Sequence, residues 1–162
     1  MAASTQVVEF DGGFLERGFW LYAWEVVVPG GATILYVGRT GDSSSANAQS
    51  PFNRMGQHLG RAVNSSMLRN HLAGRDVEPQ DCTFRLIAHG PVLSEGPTGD
   101  MAEHKLRRDL VAGIEKGLAD DLKAAGYDVV NTVASTKPLD ENVYADVRAA
   151  FAAHFPRLSN AA

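Results

Sequence analysis

One cysteine, Cys82, is all that the chain carries, so no internal disulfide can staple the fold. Within CTFRLIA that thiol reads as a small buried hydrophobe in a reducing compartment. No apolar run approaches the roughly 20 residues that cross a bilayer, and the opening MAASTQVVEFDGG has neither a basic n-region nor an apolar h-region. The expectation is a cytoplasmic chain with no membrane partner. Also missing are GxxxxGK[ST], HExxH, GxSxG, a CxxC pair and GxGxxG, which removes P-loop nucleotide hydrolysis and several other common chemistries. His71, His89 and His104 have no local metal-ligand spacing.

Lysine is scarce as well: 4 Lys stand against 11 Arg, and none precedes Lys105. The net charge of -4 argues against a protein that coats nucleic acid through its overall field. Its distribution points the other way. Between Tyr36 and Arg75 the charges are Arg39, Arg54, Arg61, Arg69 and Arg75 against Asp42, five minus one, or +4. Arginine presents a planar fork that grips phosphate, so a polyanion suits this stretch.

At 162 residues with 44% hydrophobic and 21% charged residues, one globular domain is expected. Phe19 to Val28, FWLYAWEVVV, and Thr33 to Gly38, TILYVG, are dense in aromatic and β-branched residues and flank Pro29-Gly30-Gly31, which reads as a hairpin. A loop of odd length places Tyr22, Trp24, Tyr36 and Gly38 on one face; an even loop separates the two tyrosines. Residues 39–50 read as a polar surface loop. Ser50-Pro51 is a helix start, giving a helix over Pro51 to Leu59 and a continuation from Ser65 to Leu72, with Arg54 and His58 one turn apart on the same face.

CTFRLIAHG is a third strand closed by Gly90-Pro91, and Asp100 caps a long helix to Leu122. Around that helix Leu106, Leu110, Ile114 and Leu118 centre an apolar stripe on Glu103, an expensive place for a carboxylate unless a cation, a donor or a metal meets it. YDVVNTV gives a short extended piece ending near Asn131, and a last amphipathic helix runs from Leu139 to Phe155. The fold class is α+β: a small three-stranded antiparallel sheet flanked by helices, with an extra C-terminal helix. Residues 1–18 are an N-terminal extension, 19–132 the main unit, and 133–162 a helical extension packed on it.

Taken together, Trp20-Leu21-Tyr22, Tyr36-Val37-Gly38, Arg54 and His58 in NRMGQH, Glu103 in MAEHKL and Asn131 in VVNTV resemble the motif series of the GIY-YIG nuclease family. The likeness covers residues 19–132. Three features depart from it: Trp20 stands where the first motif has Gly, the stretch from Gly38 to Arg54 is long, and the net charge of -4 is unusual for an enzyme that must hold a nucleic-acid backbone.

The resemblance implies a metal-dependent endonuclease acting on nucleic acid, DNA before RNA. Tyr22 would be the general base, with His58 accepting or relaying its proton, since an unperturbed phenol near pKa ~10 is a poor base at neutral pH. Arg54 would clamp the scissile phosphate, and Glu103 would hold Mg2+ or Mn2+. Tyr36 would orient water or phosphate and Asn131 would support the site by hydrogen bonding. Gly38 would admit the substrate closely, with Arg39, Arg61 and Arg69 as further nucleic-acid contacts. The last helix is assigned either to target choice or to a homodimer or targeting partner.

Two other readings remain open from the residues. One is a non-cleaving module that uses the Arg54 to Arg75 surface to hold nucleic acid or a protein. The other is an α+β protein with an accidental likeness, in which Glu103 pairs with Arg107 one turn on.

Overall fold

The computed structural model describes residues 3–62, 64 and 66–160. Ser65, where the sequence starts its second helix, lies outside them, as do the outermost residues of both extensions. Strands β1 (Phe19–Val27) and β2 (Thr33–Arg39) pair antiparallel across residues 28–32, an odd connection. Tyr22 therefore opposes Gly38 and Trp24 opposes Tyr36, which puts all four on one face.

Strand β3 (Thr83–Leu93) pairs antiparallel with β1, so the sheet order is β2-β1-β3. It does not stop at Gly90-Pro91, as the sequence suggested, but continues to Leu93 opposite Phe19. An edge strand tolerates a proline because its outward N–H needs no ladder partner, and the register shift between Phe19 and Leu21 absorbs the extra residues. The Gly90-Pro91 peptide is cis.

Helix α1 (Pro51–Leu59) begins where its signals placed it: Ser50 accepts from Asn53 N–H and Pro51 opens the first turn. α2 (Met67–Ala73) follows. α3 (Met101–Ala124) is capped by Asp100, which accepts from Glu103 N–H. The C-terminal region forms α4 (Glu141–Ala152), capped by Asp140, and the short α5 (Arg157–Asn160). Between α3 and α4 the chain returns to β2, where Leu35 N–H donates to Asp128 O (2.7 Å) and Val130 N–H to Leu35 O (2.8 Å), a parallel bridge on the free edge.

The architecture is α+β, a three-stranded antiparallel sheet flanked by helices and covered on both faces. One face, with Leu21, Ala23, Leu35 and Val37, packs on Val111, Ile114, Leu118 and Leu122 of α3 and on Val147 and Phe151 of α4. The other, with Tyr22, Trp24, Ile34 and Tyr36, packs on Leu68 and Leu72 of α2. Each large apolar side chain so buried contributes about 1.5–3 kcal/mol. No helix of the described residues is long and apolar enough to cross a membrane.

Candidate active site

The hairpin carries two phenols from adjacent strands onto the face that α1 covers. Tyr22 is 1% exposed and Tyr36 8%. α1 turns Arg54 and His58 toward them, because residues four apart share a helix face. The Tyr22 hydroxyl lies 2.5 Å from His58 Nε2. The His58 ring is edge-on to Tyr22 at 5.4 Å between centroids and tilted against Tyr36 at 4.9 Å. Four of the residues singled out in the sequence thus meet in one buried cluster.

Burial pushes the Tyr22 phenol well above its ordinary range; the Arg54 guanidinium opposes this and Tyr36 adds to it. Tyr36 is also pushed up, first by burial and then by the negative charge of Glu115. Burial, aided by Arg54 and opposed by Asp42, lowers His58 to about 4, so the imidazole is neutral at pH 7. When Nδ1 carries the proton, the Tyr22 O–H donates to Nε2; Nδ1 itself has no hydrogen-bond partner among the described residues.

Arg54 is held from two sides, donating through Nη2 to Asp42 Oδ2 (3.1 Å) and through Nη1 to Gln57 Oε1 (3.0 Å). At Gly38 a Cβ would stand 2.5 Å from the Tyr22 ring and hydroxyl, so the missing side chain makes room for the phenol.

Asn131 is buried and grips the backbone of the Tyr36-Val37-Gly38 motif with both ends of its amide. Its Oδ1 accepts from Val37 N–H (3.0 Å) and its Nδ2 donates to Val37 O (2.8 Å), extending the edge pairing begun at Leu35. Lys123 Nζ donates in turn to Asn131 O (2.9 Å).

Glu103 is not gathered with this group. It sits on the first turn of α3, where Arg107 Nε donates to its Oε1 (2.8 Å) and Gly96 lies beside it. The charges acting on the phenols include Arg54, Asp42 and Glu115, and Glu103 is not among them. The sequence placed the stripe centre wrongly. Leu106 is 68% exposed, while Val111, Ile114, Leu118 and Leu122 are buried, so the true stripe is centred about 70° around the helix from Glu103.

The carboxylate that does face the hairpin is Glu115, three turns further along α3. It accepts from Arg39 Nε (2.8 Å), and both side chains are about 15% exposed. Burial pushes its carboxyl up to about 7, against the pull of Arg39 and with the help of Asp42. Arg39 Nη1 has no hydrogen-bond partner among the described residues. Glu115, Arg39 and Asp42 line a groove of about 310 Å³ between the end of β2, α3 and the segment 133–137. The sequence signal for Glu115 was a lone acid flanking the apolar run VAGIEKGLA.

Of the remaining basic residues, Arg61 is exposed, and Arg69 donates through Nη1 to Leu59 O (3.3 Å). Trp20 is buried, donates from Nε1 to Glu16 O (3.1 Å), and its ring covers Gly90.

Among the described residues no three His, Cys, Asp or Glu side chains converge as a metal-ligand group. A hydrated Mg2+ needs only one or two carboxylates. Glu103 is held by Arg107 and Glu115 by Arg39, each at 2.8 Å, so both are already engaged; Glu115 differs in lining a groove with a second carboxylate, Asp42, and that pair fits the requirement. The chain matches no protein-family model, no curated protein and no solved structure.

Proposed function

We propose that the chain is a metal-dependent endonuclease of the GIY-YIG kind that hydrolyses phosphodiester bonds in DNA, working in the cytoplasm. The observation that carries this reading is the 2.5 Å approach of the Tyr22 hydroxyl to His58 Nε2, with Tyr36 and Arg54 in the same cluster. A buried phenol is a weak base by itself. Coupled to a neutral imidazole, it can pass its own proton on while taking one from water.

In that step the water oxygen forms a bond to phosphorus, the ester bond to the leaving oxygen breaks, and the leaving oxygen takes a proton from solvent. The proton from water goes to the Tyr22 oxygen as the phenol proton moves to His58 Nε2. Arg54 holds the phosphate and offsets charge on its non-bridging oxygens. A phosphate on Arg54 also offsets the positive charge that depresses His58, which makes the imidazole a better acceptor. Glu115, with Asp42 near it, would hold Mg2+ or Mn2+ in place of Glu103, and the cation would supply Lewis-acid stabilisation of the phosphoryl charge.

A second reading, a nucleic-acid- or protein-binding module that does not cut, is favoured by one feature. Tyr22 is almost sealed, and Arg54 and Glu115 are both engaged by partners of the same chain. Supercoiled plasmid incubated with the purified chain and Mn2+, beside Tyr22→Phe, separates the two. The nuclease reading expects nicking that falls about 10²–10⁴-fold in the variant, the usual contribution of a positioned base. Equal nicking by both proteins, or none by either, contradicts it.

A further inference from the structure

Two ion pairs tie down the groups that the proposed nuclease site would offer to its ligands. Arg39 Nε holds Glu115 Oε2 at 2.8 Å, and Arg54 Nη2 holds Asp42 Oδ2 at 3.1 Å. Each pair joins a group suited to phosphate with a group suited to a hard cation. Both carboxylates and Arg39 line the same groove, and both carboxylates act electrostatically on Tyr36.

Neither pair is saturated. Arg39 Nη1 and Arg54 Nε are buried without hydrogen-bond partners among the described residues. An arginine fork with an unused arm is complementary to a second anionic oxygen. Breaking either pair alone would leave a partly buried charge uncompensated, which is costly. Breaking both together, with a divalent cation for the two carboxylates and two neighbouring backbone phosphates, one negative charge each, for the two guanidiniums, leaves every charge matched.

We propose that this site loads by ion-pair exchange: Arg39 and Arg54 leave Glu115 and Asp42 for two neighbouring backbone phosphates of nucleic acid as those carboxylates take a divalent cation. The exchange rests on the nuclease reading and adds to it a coupling between two ligands, with Arg39 and Asp42 as positioning residues that set its size. Nucleic acid draws the guanidiniums away and frees the carboxylates. The cation does the reverse. By linkage each ligand raises the affinity of the other by the same factor.

The test uses the full chain carrying Tyr22→Phe, so that DNA survives. Binding of a fluorescein-labelled duplex is followed by anisotropy with and without Mn2+, and binding of Mn2+ by electron paramagnetic resonance with and without the duplex. Each ligand is expected to tighten the other about tenfold, within the usual range of such couplings. Adding Arg39→Gln should tighten Mn2+ binding in the absence of DNA and bring the coupling down to about twofold or less. Asp42→Asn, in an exposed loop where folding is not at stake, should strengthen metal-free duplex binding and reduce the coupling likewise. Arg108→Gln removes a charge from the same groove without touching either pair and should leave the coupling intact.

Independent binding of the two ligands, or full coupling retained in both Arg39→Gln and Asp42→Asn, overturns the exchange and leaves the nuclease reading standing. Failure of the chain to bind either ligand overturns both.

Discussion

His58 Nε2 and the Tyr22 hydroxyl, 36 positions apart in sequence, meet at 2.5 Å beneath α1. The contact is possible because the hairpin register turns Tyr22 toward the helix and the Arg54/His58 spacing turns both side chains toward the sheet. It holds two neutral groups, one pushed above and one pushed below its ordinary pKa by burial.

That burial has a pH signature. His58 titrates near 6.5 when unfolded and near 4 when folded, so its contribution to stability is present above pH 6.5 and is lost as pH falls toward 4. Glu115 acts in the opposite sense: its carboxyl is raised from 4.5 to about 7, so its contribution is full below pH 4.5 and is lost as pH rises through 7. Between about pH 4.5 and 6.5 the two slopes oppose each other. Urea midpoints of the chain should therefore change little across this window, whereas Glu115→Gln should show a clear loss of stability on acidification, up to about 3 kcal/mol. Parallel curves for the two proteins would contradict the assignment.

Gly38 gives a steric prediction. An added Cβ meets the Tyr22 ring and hydroxyl at 2.5 Å, so Gly38→Ala must displace the phenol and should cost about 1–3 kcal/mol as well as activity. Gly56, in the interior of α1, has open space around it. Gly56→Ala should stabilise the chain by about 0.5–1 kcal/mol through helix propensity. Thermal melts of the two variants check the contrast.

Asn131 fastens the returning chain to Val37 with two hydrogen bonds. Asn131→Ala leaves a buried N–H and C=O unpaired, at about 1–3 kcal/mol each. Asn131→Asp puts a carboxylate oxygen against Val37 O in place of the Nδ2 donor, so at neutral pH it should cost at least as much as Asn131→Ala and recover on acidification, when the protonated acid can donate to that carbonyl. Denaturant unfolding and amide exchange at Val37 report both effects.

Much of this arrangement was legible in the sequence where local chemistry decides it. Ser50-Pro51 set the start of α1 and the Arg54/His58 spacing set their shared face; the hairpin was legible too, but whether its loop is odd, which decides that the phenols share a face, is settled only by β1 ending at Val27 and β2 starting at Thr33. What escaped was decided by tertiary packing. The apolar stripe of α3 is fixed by which turns touch the sheet, and because Leu106 points to solvent, the acid that meets the end of β2 is Glu115, 15% exposed, rather than Glu103, 36% exposed. β3 runs past Pro91 because it is an edge strand, which follows from the strand order and not from the local residues. The hold of Asn131 on Val37 joins positions 94 apart, beyond the reach of any local pattern.

The most direct measurement is Mn2+-dependent nicking of supercoiled plasmid by four proteins side by side: the unaltered chain, Tyr22→Phe, Glu115→Gln and Glu103→Gln. Glu103→Gln is expected to nick within about threefold of the unaltered chain, while Tyr22→Phe and Glu115→Gln fall by about 10² or more. Equal rates in all four, or a loss in Glu103→Gln that Glu115→Gln does not share, would contradict that expectation.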